Sequence, residues 1–304
     1  MGSGPSVIVV GSASRDLVPD DPRGWRLGGG VSYSALALAR LGVSVGALIG
    51  VDGPASEASE LDMLRAAGAD VRLVRLARGP VFVNIETPDG RVQESREVSD
   101  RIPADSLPPS WAGAPGWLFA PVAAEVPDEW AAAPRDDALV GVGWQGLLRV
   151  LAAGARVRHV EPFASPLIAR ADLVGVGMDD FDRQTPLDRL AALVGPGGTL
   201  LVTDGVRGGT AIDIAADRGL KRSRWAANPT PRFVDPTGAG DTFLAAAFAA
   251  RLRPDLLGVR SGDGLDLRFG AAAASLACEA PGLHGVPSLA EVLERLDAAP
   301  AATG

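Results

Sequence analysis

The feature that most constrains this chain is the alternation, in its N-terminal part, of short unbroken apolar runs with helix-length segments. Residues 6–10 (SVIVV) are apolar almost throughout and stop at Gly11. Such a run suits a strand buried on both faces. Residues 34–41 are rich in Ala and Leu and read as a helix closed by Gly42. Residues 43–49 read as the next strand, 57–67 as a helix closed by Gly68, and 70–76 as a further strand. Strand, helix and strand in this rhythm predict βαβ units and a parallel sheet. The expected fold class is α/β.

The rhythm then breaks. Val81, Val83 and Ile85 alternate with Phe82, Asn84 and Glu86, and a turn at Pro88-Asp89-Gly90 leads into residues 91–98. This is the pattern of a polar-faced hairpin. A hairpin alone is marginally stable, so 16–27 is expected to add strands to it. Residues 16–27 and 72–103 together predict a small β appendage, a lid able to shield a site from water. From Gly116 the alternation resumes. Strands are expected near 117–120, 139–142, 173–176 and 199–203, with helices between them. Residues 208–215 and 221–225 read as antiparallel strands, and 239–252, 267–278 and 289–297 as helices. Residues 300–304 are expected to fray. The whole, 1–304, reads as a single catalytic-size domain carrying the lid.

Composition narrows the partners. The net charge is −8 and no block of Lys and Arg exists, which argues against nucleic acid and against an anionic membrane surface. The single cysteine, Cys278, excludes an intrachain disulfide, and two histidines, His159 and His284, leave no set for a histidine-based metal site. With no apolar run of membrane-spanning length and no N-terminal signal pattern, a cytoplasmic location is expected.

Residues 234–243 read VDPTGAGDTF and carry most of the chemistry. Pro236 and Gly238 do not suit a helix interior, so the helix over 239–252 starts at Ala239. The amides of Gly238, Ala239, Gly240 and Asp241 then face outward at a helix N-terminus. Free N–H groups and the helix dipole bind anions there. Asp241 as a cap is ordinary. Beside a bound phosphate it is a candidate general base, taking the proton of an attacking hydroxyl while the amides stabilise charge on the transferred group.

The string DPTGAGDTF resembles the C-terminal signature of the ribokinase-like, PfkB-type carbohydrate kinase family. The resemblance implies Asp241 as general base and the backbone of Gly238, Ala239, Gly240 and Asp241 as an anion hole. Gly28, Gly29 and Gly30, followed by VSYSA and then ARLG at 39–42, resemble the family's N-terminal glycine motif, whose glycines contact the substrate. The loop GSASRD at 11–16 resembles one whose acid, here Asp16, holds substrate hydroxyls. TDGVRG at 203–208 is similar to the family's nucleotide loop, which implies Thr203, Gly205 and Gly208 near the nucleotide, with Thr237 beside them. These matches occur in family order from Gly11 to Asp241. They imply a ribokinase-like fold, a mostly parallel sheet flanked by helices with a small β-sheet lid. They imply ATP as donor, Mg2+, and a monovalent cation such as K+ at a loop holding Asp235 and Thr237. The acceptor would be a small sugar, polyol or nucleoside. The family often dimerises through lid strands, and exposed lid edges allow a homodimer here.

Two departures stand out. Tyr33 occupies a position where many members carry Asn, a substrate contact. The family's Asn-x-x-Glu metal-support motif falls at Gly177-Met178-Asp179-Asp180, where only the last acid is kept, as Asp180. Aspartate is shorter than glutamate and would reach Mg2+ through water.

A competing signal lies mid-chain. Gly141-Val142-Gly143-Trp144-Gln145-Gly146 fits the dinucleotide pattern G-x-G-x-x-G, follows a predicted strand and opens a predicted helix at 147–153. Glu161 follows near the end of an expected strand at 156–160. Its place after several βα units and the bulk of Trp144 weigh against it. In the kinase reading the same strand end faces the substrate, and Trp144 and Gln145 contact it. Three readings therefore stand: an ATP-dependent kinase, a dinucleotide-dependent oxidoreductase using Gly141–Gly146, and a non-catalytic sugar or nucleotide sensor on the kinase fold.

Overall fold

The computed structural model describes residues 4–87, 90–257 and 264–298. The predicted turn residues Pro88 and Asp89 and the tail at 300–304 lie outside them. The chain runs β1 (Val7–Ser12), β2 (Arg15–Leu17), β3 (Trp25–Leu27), α1 (Gly30–Arg40), β4 (Val45–Val51), α2 (Glu60–Ala66) and β5 (Asp70–Arg75). It continues through β6 (Val81–Thr87), β7 (Gly90–Glu97), β8 (Gly116–Phe119), β9 (Leu139–Gly143), β10 (Arg149–Val150), β11 (Ala155–Arg156) and β12 (Arg158–His159). Then follow α3 (Pro166–Arg170), β13 (Leu173–Gly177), α4 (Leu187–Ala191), β14 (Thr199–Thr203), β15 (Gly209–Ile214) and β16 (Leu220–Trp225). Three helices close it: α5 (Ala239–Leu252), α6 (Leu265–Ala277) and α7 (Leu289–Ala298).

Among the described residues nine strands form one sheet in the order β16-β15-β14-β13-β9-β8-β1-β4-β5. The pairs from β14 through β5 are parallel, and β15 and β16 are added antiparallel at one edge. Every residue of β1, β4 and β8 is buried, as unbroken apolar strands between helical layers should be. One face packs on α1, α5 and α6. The other is filled by Trp117, Phe119 and Trp130, whose ring centroids lie 5.9–6.5 Å apart.

α5 sits close to the sheet because three neighbouring strands carry glycine beneath it. A Cβ at Gly141 would lie 2.9 Å from the Phe248 ring, one at Gly175 3.0 Å from Leu244, and one at Gly116 2.9 Å from Leu252. The large side chains Leu244, Phe248 and Leu252 of α5 fill this furrow, so α5 is pressed against β8, β9 and β13.

The lid is a separate sheet in the order β11-β7-β6-β2-β3. Three expectations are corrected here. Residues 72–75 belong to β5, paired in parallel with β4 in the main sheet, and not to the lid. As an edge strand β5 alternates in exposure, which on sequence looks like a lid strand. The helix at 147–153 does not form. A single 3-10 turn at Gln145–Leu148 runs into β10, which pairs with β12, while β11 joins lid strand β7. Finally, α1 begins at Gly30 rather than near residue 34, so the glycine triplet leads directly into the helix.

Candidate active site

The carboxyl ends of β1, β9, β13 and β14 open into a cleft of about 950 Å³, the expected place for ligands in an open α/β sheet. The N-terminus of α5 forms its floor. Gly238 caps that helix in the left-handed region (φ 77°), and a Cβ there would overlap the Tyr33 ring. The Ala239 amide is engaged by Pro236 O at 3.1 Å. The amides of Gly240 and Asp241 precede the first i−4 carbonyl of the helix, so their N–H groups are available to an anion. Asp235 ties the turn down: its Oδ1 accepts from the Thr237 amide (2.9 Å) and its Oδ2 from the Gly282 amide (3.0 Å).

The glycine triplet faces this floor, each member for its own reason. A Cβ at Gly28 would overlap Asp16 Oδ2. Gly29 adopts φ 91° against the backbone of Ser12 and Ser14. A Cβ at Gly30 would lie 2.7 Å from Asp241 Oδ1. The start of α1 thus comes into contact range of Asp241. Ser14 Oγ donates to Asp16 Oδ1 (2.9 Å) and steadies that carboxylate.

Burial pushes the Asp241 carboxyl up to about 7; the negative charge of Asp180 adds to the rise, and Arg149 opposes it. Asp180 is 8% exposed. Its Oδ1 accepts from Gln145 Nε2 (2.7 Å), its Oδ2 from the Gly177 amide (2.8 Å), and Arg149 Nη2 stands 3.9 Å away. Asp179 also lines the cleft, but at its exposed edge, 88% exposed and paired with Arg183. Tyr33 is buried under the Gly238 turn, and burial together with Asp16, Asp235 and Asp241 holds its phenol proton on.

The cleft brings together Asp16, Gly29, Gly30, Tyr33 and Gln145 from the expected substrate side with Gly238, Gly240, Asp241, Thr237, Asp235, Asp180 and Thr203. Gly28, Ala239, Gly205 and Gly208 do not line it. Gly205 and Gly208 shape the turn after β14, where Asp204 and Arg207 pair. Trp144, expected at the substrate, is instead 1% exposed in the core beside β9. The dinucleotide pattern fails on structure. Gly141 packs against Phe248, Gly146 is wedged under Pro121 O, and no α-helix follows to present its amides to a pyrophosphate.

The sequence reading missed several groups. Arg149 lines the cleft with its side chain only 10% exposed. Asn84 and Gln93 line the lid side, joined by a 2.8 Å bond from Gln93 Nε2 to Asn84 Oδ1. Glu125 is fully buried, its carboxylate accepting from the amides of Ser12, Val122 and Ala123 at 2.7–3.2 Å. Burial pushes its carboxyl up against those bonds. It fixes the loops that carry Ser14 and Ala120 toward Gly30. Alternation in the lid hairpin sets Asn84 on one face with Phe82, a signal that could have marked it; nothing local marks Gln93, Arg149 or Glu125.

In sequence, residues 176–288 match the pfkB family carbohydrate kinase description, the stretch holding Asp180, Thr203 and Asp241. This is a PfkB-type segment in a ribokinase-like fold. No curated protein matches the chain in sequence. Solved structures are similar over nearly the whole of it. A pyrophosphate-dependent kinase of the ribokinase family, complexed with a pyrophosphate analogue and myo-inositol, aligns with TM-score 0.72 at 18% identity, covering 96% of this chain and 100% of that one. Arabidopsis thaliana ribokinase with ribose and ATP aligns with TM-score 0.68 at 20% identity, covering 97% and 100%. The Methanocaldococcus jannaschii nucleoside kinase aligns with TM-score 0.66 at 17% identity, covering 97% and 99%. The PfkB-type fold and its lid sheet are thus those anticipated from DPTGAGDTF and the glycine triplet. Among the described residues no helix is long and apolar enough to cross a membrane.

Proposed function

We propose that this PfkB-type protein transfers a phosphoryl group to a hydroxyl of a small sugar, polyol or nucleoside, with ATP as donor and Asp241 as general base. The observation that carries this reading is the meeting of a carboxyl titrating near 7 with open helix amides, at a point where α1 approaches without a side chain. The acceptor lies under the lid against Asp16, Gly29 and Gly30, with Asn84, Gln93 and Gln145 within the same cleft to read its other hydroxyls. The donor's terminal phosphate rests on the Gly240 and Asp241 amides, with Thr203 and Thr237 beside it. The acceptor oxygen forms its bond to phosphorus as the bond to the bridging oxygen breaks. The hydroxyl proton passes to Asp241, and the electron pair leaves with ADP.

Mg2+ fits this site through Asp180. That acid lies in the cleft near Asp241, and magnesium needs only one or two protein carboxylates beside substrate phosphates and waters. When bound it neutralises donor phosphate charge. A monovalent cation at the Asp235–Thr237 loop would act on the shape of the Gly238 turn, since Asp235 already secures that loop.

The test is a screen of ADP and phosphate release over sugars, inositols and nucleosides, run with ATP and, in parallel, with pyrophosphate. Turnover of one acceptor with ATP is expected. Turnover only with pyrophosphate would reassign the donor, and none with either would favour a sensor.

A further inference from the structure

Arg149 lies on the wall of the cleft because β10 pairs with β12, Arg149 opposite His159, and so turns away from a helical course. Its side chain is nine-tenths buried, and its Nε is enclosed with no hydrogen-bond partner. Nη2 stands 3.9 Å from Asp180 Oδ1, too far for a hydrogen bond, and that oxygen already accepts from Gln145. A desolvated guanidinium with an unmade bond is costly unless a ligand completes it. Its planar fork of five donors matches the oxygens of a phosphoryl group. Two other arginines near the matched loops are engaged: Arg15 by Asp52 and Arg207 by Asp204. The donor's phosphate must also enter a cleft that already holds Asp16, Asp180 and Asp241.

We infer that Arg149 is a catalytic residue that donates to the non-bridging oxygens of the phosphoryl group in transfer, opposite the α5 amides. This rests on the kinase reading above. Amides hold the group from the helix side; the guanidinium holds it from the β10 side and offsets the acids around it. Its charge then matters most when the group is between the two oxygens, and it acts on kcat rather than on acceptor binding.

The test is steady-state transfer to whichever acceptor the wild-type protein uses, for Arg149→Gln and Arg149→Lys, with folding checked by thermal melting. The expected result for Arg149→Gln is a fall in kcat of about 10³-fold with the acceptor KM nearly unchanged. Arg149→Lys should fall less, and added guanidinium should restore part of the Gln variant's rate. An unchanged kcat, or a raised acceptor KM at constant kcat, overturns the inference; the second would make Arg149 a reader of the acceptor. If the wild-type protein transfers no phosphoryl group from ATP or pyrophosphate, the kinase reading fails by itself. Calorimetric titration with inorganic pyrophosphate then decides the role of Arg149. Binding lost in Arg149→Gln supports an oxyanion site there, whereas equal binding in both proteins, or none in either, refutes it.

Discussion

Asp241→Asn should damage activity and raise stability together. In the folded protein the carboxyl titrates near 7 instead of 3.8, through burial and the charge of Asp180. At 1.36 kcal/mol per unit the full shift is worth about 4 kcal/mol, and the partial exposure of Asp241 brings the expected value to about 2–4 kcal/mol. The sign follows from proton binding. Below pH 3.8 both states hold the proton and the acid has no effect. Between 3.8 and about 7 the unfolded chain has lost it while the native state keeps it, so stability falls as pH rises. Above 7 the native state carries the unfavourable charge and the loss is complete. Asn is uncharged throughout. At pH 8 the variant should therefore melt about 5–10 °C above wild type, and at pH 4 the two should nearly coincide. In transfer assays the wild-type kcat/KM should rise with pH to a plateau near 7, and Asp241→Asn should lower kcat by about 10²–10⁴-fold. Thermal melts from pH 4 to 8 and a pH–rate profile check both halves. A melting difference that does not grow with pH, or an acid limb below pH 5, would refute the electrostatic argument. Structural damage cannot imitate it, because damage lowers activity and stability alike.

Three further outcomes follow from close approach. Gly238→Ala places a methyl group into the Tyr33 ring at φ 77°, so urea unfolding should show a loss of at least about 1–3 kcal/mol together with lost activity. Gly30→Ala puts a carbon 2.7 Å from Asp241 Oδ1. Displacement of the base by under 1 Å should lower kcat about 10²-fold, with a smaller effect on melting than Gly238→Ala. Gly141→Ala meets Leu118 at 2.8 Å and Phe248 at 2.9 Å, so it should cost about 1–3 kcal/mol of stability without changing the acceptor KM. Fluorescence titration of the wild-type protein with NAD(P)H should show no micromolar binding, and such binding would restore the oxidoreductase reading.

What was legible in the sequence was whatever local chemistry dictates. α5 spans Ala239–Leu252 as expected, because Pro236 and Gly238 bar a helix before it and a long Ala-rich run sustains it after. The unbroken apolar runs at β1 and β4 could only be buried parallel strands. The segment LLRVLAA has helical composition, yet Gly146 is wedged under Pro121 and β10 finds a partner eight residues on in β12; tertiary contacts override propensity there. That same misreading hid Arg149, which on a helix would have counted as a solvated charge. Trp144 was misplaced for the opposite reason. A bulky aromatic beside a cleft can face either way, and the sheet's filled face took it. Glu125 has meaning only through amides from Ser12 and from 122–123, which no spacing rule connects.

The two glycine-rich strings that competed on sequence prove to serve one arrangement. Gly141, with Gly116 and Gly175, removes the side chains that would hold α5 away from the sheet. Gly30 removes the one that would hold α1 away from Asp241. Gly238 lets the chain turn over Tyr33 into α5. The Asp241 carboxyl is set in place from three directions by missing Cβ atoms, which gives a packing reason for glycines in a pattern that resembles a dinucleotide loop. It also accounts for the high carboxyl pKa. A helix pressed this closely onto the sheet and onto α1 carries its first-turn acid out of bulk water and toward Asp180. The packing that brings the amides and the carboxylate to one point is therefore the same packing that raises the carboxyl to about 7, the range the proposed base requires.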